Sequence, residues 1–353
     1  MGDSAFEQLA EALNRLPNGF PRTESGVEIR ILKKIFPLEQ AALACHLTGE
    51  FEPVDAIARR AGLPPGEVSR LLFKMARGGM VWLDKPDGQV CFRLAPFVVG
   101  IYEAQAELMD HELAHLVEDY FAEGGTQGIM GPQPALQRVV PAMGTVKAEA
   151  ILPYEDVRAI LLSARTFNVI DCICRLQQDK LGNACKFPMH VCLNFSQNKR
   201  VPRPGDISQA EALALLEQSE QVGLVHTVSN VMEGVGYVCN CCGCCCGILR
   251  GITKFGIEGS VAYANYYAVI DPQFCANCGN CIERCQVGAI SEGEAFSVVD
   301  RMRCIGCGLC VSGCPNNVAR LERKAEVERV SPPKDFAAWE HARLVNRGII
   351  EAS

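Results

Sequence analysis

Eighteen of the chain's twenty cysteines fall between residues 172 and 314, with only Cys45 and Cys91 before them. They form three groups: Cys172, Cys174, Cys185 and Cys192; then Cys239, Cys241, Cys242, Cys244, Cys245 and Cys246; then eight from Cys275 to Cys314. Disulfide frameworks belong to small secreted domains, and this chain of 353 residues does not read as one. Its start, MGDSAFEQLAEALNRL, is a polar amphipathic stretch rather than a charged-then-apolar leader, and no apolar run approaches bilayer length. A cytoplasmic location is expected, without membrane insertion, and metal ligation accounts best for the thiols.

Residues 275–285, CANCGNCIERC, and 304–315, CIGCGLCVSGCP, both follow C-x2-C-x2-C-x3-C. Three thiolates at this spacing can hold three irons of one cubane if the chain wraps tightly around it, and small residues between them permit that. The fourth cysteine lies a helical turn further on and reaches the other cluster. YYAVID and FSVVD precede the two runs as β-rich segments. This stretch, about residues 266–322, resembles a bacterial-type ferredoxin with two 4Fe–4S clusters. The resemblance implies that Cys275, Cys278, Cys281 and Cys314 hold one cluster and that Cys304, Cys307, Cys310 and Cys285 hold the other. Gln286 stands where that pattern often has proline.

The middle groups obey no such simple rule. Cys172, Cys174, Cys185 and Cys192 are spaced C-x-C-x10-C-x6-C, with Arg175 and Lys186 placed to favour thiolates. In GYVCNCCGCCCGILRG, neighbouring side chains diverge, so Cys239, Cys241, Cys242, Cys244, Cys245 and Cys246 cannot all face one small cluster. Gly243 and Gly247 let the backbone fold tightly. The paired CCG triplets resemble an element of heterodisulfide-reductase-type subunits, over these few residues only. A helix opening with the capping box Ser208 and Glu211, and stopped at Gly223, is expected to bring the two middle groups together. Ten cysteines then become available, and at least one further iron–sulfur cluster is expected among them.

LTGEFEPVDAIARRAGLPPGEVSRLLFKMARGGMVWLDKPDGQVCFRLAP has the run of a helix-turn-helix with a wing, its helices at 53–61 and 65–77. Arg70 and Lys74 would sit on the recognition helix. Yet residues 1–100 carry twelve Lys and Arg against twelve Asp and Glu, and the whole chain has a net charge of −7. That balance gives poor support for phosphate neutralisation, so an interaction module is preferred to DNA binding. His111-Glu112-Leu113-Ala114-His115 matches H-E-x-x-H on an expected helix from about residue 100 to 122. No third ligand is placed for it, and polar residues on a connecting helix are the preferred account.

The expected fold is α+β and multidomain. A winged-helix-like domain occupies 1–100, a connecting helix and linker 101–135, a cysteine-rich iron–sulfur domain 136–265, a ferredoxin-like 4Fe–4S dicluster module 266–322, and a C-terminal helix 323–353. The whole arrangement resembles a group of anaerobe iron–sulfur proteins with a winged-helix-like N-terminus. It implies a multi-cluster electron-transfer protein or subunit working with a redox partner protein. Two alternatives stand beside it: a reductase with a catalytic cluster at CNCCGCCCG, and a redox-responsive winged-helix regulator. No substrate-binding residue is legible, and the oligomeric state is not set by the sequence.

Overall fold

The computed structural model describes residues 2–147, 151–203 and 205–351. The chain forms two compact units: Met1–Pro132 with Leu176–Ala184 and Glu340–Ser353, and Gln133–Arg175 with Cys185–Trp339.

In the first unit, helices α1 (Gly2–Arg15), α2 (Val27–Ile35) and α3 (Leu38–Ala44) precede a short strand β1 (Glu52–Pro53). Helices α4 (Val54–Ala61) and α5 (Pro65–Arg77) follow, then strands β2 (Val81–Asp84) and β3 (Cys91–Leu94). Proline at the first position of α5 fixes a helical φ without losing a needed N–H, and Gly62 ends α4 at φ 66°. Ile57 and Ala58 on α4, with Val68, Leu71, Leu72 and Met75 on α5, form the buried face. The strands make an antiparallel sheet in the order β1-β3-β2, and KPDG turns tightly between β2 and β3.

The connecting helix is shorter than its periodicity suggests. Helix α6 spans His111–Tyr120 because Asp110 caps it, its carboxylate accepting from Leu113 N at 2.9 Å. Residues 97–104 form short turns instead. The expected linker GGTQGIMGPQP contains helix α7 (Thr126–Met130), whose Thr126, Ile129 and Met130 are buried. His111 and His115 stack with ring centroids 4.4 Å apart, but Glu112 accepts a hydrogen bond from Lys34. These three make no metal-sized group among the described residues.

The second unit is built on a six-stranded sheet, order β4-β8-β9-β6-β5-β7, antiparallel at every pairing. In chain order its elements are β4 (Gln137–Val140), α8 (Val157–Leu162), β5 (Thr166–Asp171), the first residues of α9 (Ile173–Lys180, which belongs to the first unit from Leu176 on), β6 (His190–Ser196) and β7 (Asp206–Ile207). Helix α10 (Gln209–Gln221), β8 (Val225–Ser229), β9 (Tyr237–Cys241) and α11 (Gly247–Thr253) complete it. Helix α10 opens with the expected reciprocal cap: Ser208 Oγ accepts from Glu211 N at 3.2 Å, and Glu211 accepts from Ser208 N at 2.7 Å. Its Ala212 and Leu216 pack with Leu161, Leu193, Val228 and Val238 in a fully buried core. The cysteines line a second, smaller core holding Cys172, Val191, Leu224, Cys242 and Cys245.

The same unit continues through β10 (Tyr266–Ile270), α12 (Asn280–Arg284), β11 (Ile290–Ser291), β12 (Val298–Val299), α13 (Leu309–Ser312) and β13 (Ala319–Arg323). β10 pairs antiparallel with β13, and β11 with β12. The last helix, α14, spans Phe336–Asn346, and its Trp339 Nε1 donates to Ala135 O at 3.0 Å. Among the described residues, no helix is long and apolar enough to cross a membrane.

Arg343, fully buried in the first unit, donates from Nε to Pro17 O at 2.9 Å, from Nη1 to Pro132 O at 2.6 Å and from Nη2 to Ile129 O at 2.8 Å. One guanidinium thus satisfies carbonyls from three turns. Arg343→Ala should leave those acceptors without their donor and destabilise the unit by about 3 kcal/mol, read as a lower denaturation midpoint in urea.

Candidate metal centres

The two C-x2-C-x2-C-x3-C runs fold as repeats of one another. In each, the residue two after the first cysteine has a left-handed backbone: Asn277 at φ 48° and Gly306 at φ 73°. So has the residue after the second cysteine, Gly279 at φ 79° and Gly308 at φ 77°. These reversals coil each loop around its own three thiols, and a short helix, α12 or α13, then carries the chain to the fourth cysteine. Gly306 is also sterically required, since a Cβ there would lie 2.4 Å from Tyr266 O.

Two pockets result. One is lined by Cys275, Cys278, Cys281 and Cys314. The other is lined by Cys285, Cys304, Cys307 and Cys310. Their crossed ligand sets match the dicluster pattern, in which each site takes its fourth thiolate from the other run. Backbone N–H groups point at sulfur: Asn277 N to Cys275 at 3.4 Å, Ala268 N to Cys304 at 3.4 Å and Ala289 N to Cys285 at 3.1 Å. Such donors stabilise the charge of bound thiolate. Burial pushes the Cys304 thiol up and Cys307 up to about 12. Burial also acts on Cys314, but backbone N–H groups of residues 316–319 outweigh it and bring that thiol down. Cys278 is exposed while Cys304 and Cys310 are buried, so the first pocket lies nearer solvent.

The ten middle cysteines are brought together by sheet register. β6 and β9 pair as Leu193↔Val238 and Asn194↔Tyr237, which sets Cys192 beside Cys239. Strand alternation places Cys239 and Cys241 on one face. Cys172 follows β5, Cys174 sits in the first turn of α9, and Cys246 immediately precedes α11. The resulting interactions close a ring. Cys172 has Cys174 and Cys192 as side-chain partners; Cys174 reaches Cys246, Cys246 reaches Cys241, Cys241 reaches Cys239, and Cys239 returns to Cys192. Cys174 and Cys192 bring Cys172 well below the usual thiol range, whereas the other five are held well above it. One thiolate is accommodated and its neighbours resist joining it, which is the electrostatic setting a bound cationic centre would relieve.

Cys185, Cys242, Cys244 and Cys245 form a separate group, with all four Sγ atoms within 4.8 Å of one another. Cys244 and Cys245 Sγ are 3.7 Å apart. Cys242 is brought down, first by Cys244 and then by Cys245, while Cys242 pushes Cys244 up to about 11. Arg175 serves both groups. Its Nη1 donates to Pro188 O at 2.9 Å and its Nη2 to Asn240 O at 2.7 Å. Burial disfavours its charge, but Cys172, Cys242 and Cys241 more than offset this and hold it above the ordinary range.

Gln286 carries a role that the sequence showed only as a missing proline. Its Oε1 accepts from Gly243 N at 2.9 Å and its Nε2 donates to Gly223 O at 2.8 Å. A Cβ on Gly243 would lie 1.8 Å from Gln286 O, so the thiol-rich loop meets the chain next to Cys285 through a glycine backbone. Arg284 adds to the joint, donating to Glu220 O at 2.6 Å, Gln221 O at 2.9 Å and Leu309 O at 2.8 Å.

Residues 267–329 match the family described as "4Fe-4S dicluster domain". No curated protein and no solved structure matches the chain. The family match and the clustered cysteines support an iron–sulfur protein with a ferredoxin-like dicluster domain. Replacing Cys314 by Ser should remove the cluster site formed with Cys275, Cys278 and Cys281, lowering iron and acid-labile sulfide by about four atoms each. EPR of the reduced variant should retain the signal of the other site. Loss confined to the site of Cys304, Cys307 and Cys310 would contradict the crossed assignment.

Proposed function

We propose that the protein is a multi-cluster electron-transfer protein or subunit, relaying electrons between a redox partner and a centre held by the six-thiol ring. Cys275, Cys278, Cys281 and Cys314 would hold one 4Fe–4S cluster, and Cys285, Cys304, Cys307 and Cys310 a second. Cys172, Cys174, Cys192, Cys239, Cys241 and Cys246 would hold a further iron–sulfur cluster. Bound clusters of this kind supply one-electron storage at potentials set by charge, hydrogen bonding and exposure.

The observation that carries this reading is the Gln286–Gly243 joint. It seats the segment beside Cys285 directly against the loop between Cys242 and Cys244. The exposed Cys278 offers access to a partner, Cys304 and Cys310 are buried, and the joint leads into the loop that ends at Cys246 of the ring. Arg175 supplies positive charge where electrons would collect. A cavity of about 630 Å³, lined by Arg138, Tyr154, Tyr263, Arg301 and Lys324 among others, has no cysteine in its wall. That cavity is apart from the thiols, which favours electron relay over a reductase acting at residues 239–246.

We also propose that residues 38–94 are a winged-helix-like interaction module. The order α3-β1-α4-α5-β2-β3, with β3 central in its sheet, supports that architecture. Lys74 pairs with Glu39 at 3.5 Å, and the equal charge count over residues 1–100 gives little net attraction for phosphate.

Anaerobically purified full-length protein should contain more than about eight irons and take up more than about two electrons per chain in a reductive titration. Eight irons and two electrons would restrict redox chemistry to the dicluster domain and end the case for the ring. Duplex DNA should bind weakly and without sequence preference at physiological salt. Tight sequence-specific binding abolished by Arg70→Ala or Lys74→Ala would instead make this a DNA-binding regulator.

A further inference from the structure

The ten middle thiols divide into six and four, and the two sets differ in scale. All four Sγ atoms of Cys185, Cys242, Cys244 and Cys245 lie within 4.8 Å of one another. Among the described residues, no three thiols of the ring or of the two ferredoxin sets are so mutually close. The ferredoxin sets act as an internal ruler, because a cubane must sit between its thiolates and hold them apart. Around a single tetrahedral ion with metal–sulfur bonds of about 2.3 Å, thiolates lie about 3.8 Å from one another. The Cys244–Cys245 separation of 3.7 Å meets that value.

We infer that Cys185, Cys242, Cys244 and Cys245 bind one zinc ion in a closed, four-thiolate site, distinct from every iron–sulfur centre of the chain. The site stands on this geometry and does not depend on the electron-transfer reading. Four thiolates around a divalent ion carry a net charge of −2, which needs compensation where Cys242 and Cys245 are buried. Arg175 supplies it from a side chain only 2% exposed, whose Nε has no hydrogen-bond partner among the described residues. A site with four protein ligands leaves no position for water or substrate, so its task is structural. It ties Cys185, in the segment after α9, to the loop that joins β9 to α11.

The test is metal analysis and zinc X-ray absorption on full-length protein purified anaerobically from zinc- and iron-supplemented cells. The expected result is about one zinc per chain, with four sulfur neighbours at about 2.3 Å and no iron neighbour. Cys244→Ser changes the one exposed ligand and should perturb folding least. In that variant zinc should fall to a minor fraction, or its shell should change to three sulfurs and one oxygen, while iron and sulfide are unchanged. Absence of zinc from wild-type protein with full iron content would overturn the inference. So would loss of about four irons and four sulfides in the Cys244→Ser protein, which would reveal a cubane at this position. A failed electron titration with zinc still present would count against the ring and leave this site standing.

Discussion

Where six thiols lie side by side, three of them buried and three half-buried, deprotonating one makes each neighbour harder to deprotonate. Burial adds to the cost, because a thiolate removed from water loses hydration that carbon neighbours cannot replace. Five ring thiols accordingly sit well above their usual range and only Cys172 below it. Such a site favours cationic centres strongly, since each bound metal converts mutual repulsion into ligation. It also explains the position of Arg175, held by two backbone carbonyls between the ring and the four-thiol group. Hydrogen bonds fix the guanidinium in place, so its field is present before anything binds.

The fold divides ten cysteines into two groups by ordinary strand and turn geometry. Along β9 the side chains alternate, so Cys239 and Cys241 face the ring while Asn240 points away. Asn240 bonds to Val191 O at 2.6 Å and to His226 Nδ1 at 2.6 Å, locking the strand's other face. The strand ends at Cys241, and the next residue, Cys242, turns to the opposite group. Cys246 returns to the ring because α11 begins there, with Arg250 N bonded to Cys246 O at 2.8 Å. Adjacent cysteines thus fall in different groups because the backbone changes direction between them.

The dicluster domain was legible from sequence because its information is local: three ligands of each cluster lie within seven residues, and the spacing alone dictates a wrapped loop. The cap of Ser208 and Glu211 was legible for the same reason. The six-and-four division was not, because it depends on β6 pairing with β9 at Leu193↔Val238, a register that no short motif encodes. Expecting a helix to join the two middle groups placed α10 correctly, but the sheet makes the junction. Periodicity likewise overextended α6, since the competing cap at Asp110 carries no hydrophobic signal. The motif at His111 and His115 shows the opposite failure, a matching pattern whose Glu112 is engaged by Lys34.

Gln286 shows how a departure from a repeated pattern can mark a junction. In a free-standing dicluster fold, the residue after the fourth cysteine of the first run needs only to turn the chain. Here it presents a side-chain amide that accepts from Gly243 and donates to Gly223, so one residue fixes two loops of the cysteine-rich sheet. Proline could turn the chain but could make neither bond. The corresponding position in the second run, Pro315, is exposed and lies in the wall of the pocket nearer solvent. The two halves of the repeat have therefore diverged where one meets the ring's surroundings and the other meets solvent. Two otherwise similar sites become unequal through that difference, because Gln286 ties the half containing Cys285 to the thiol-rich loop.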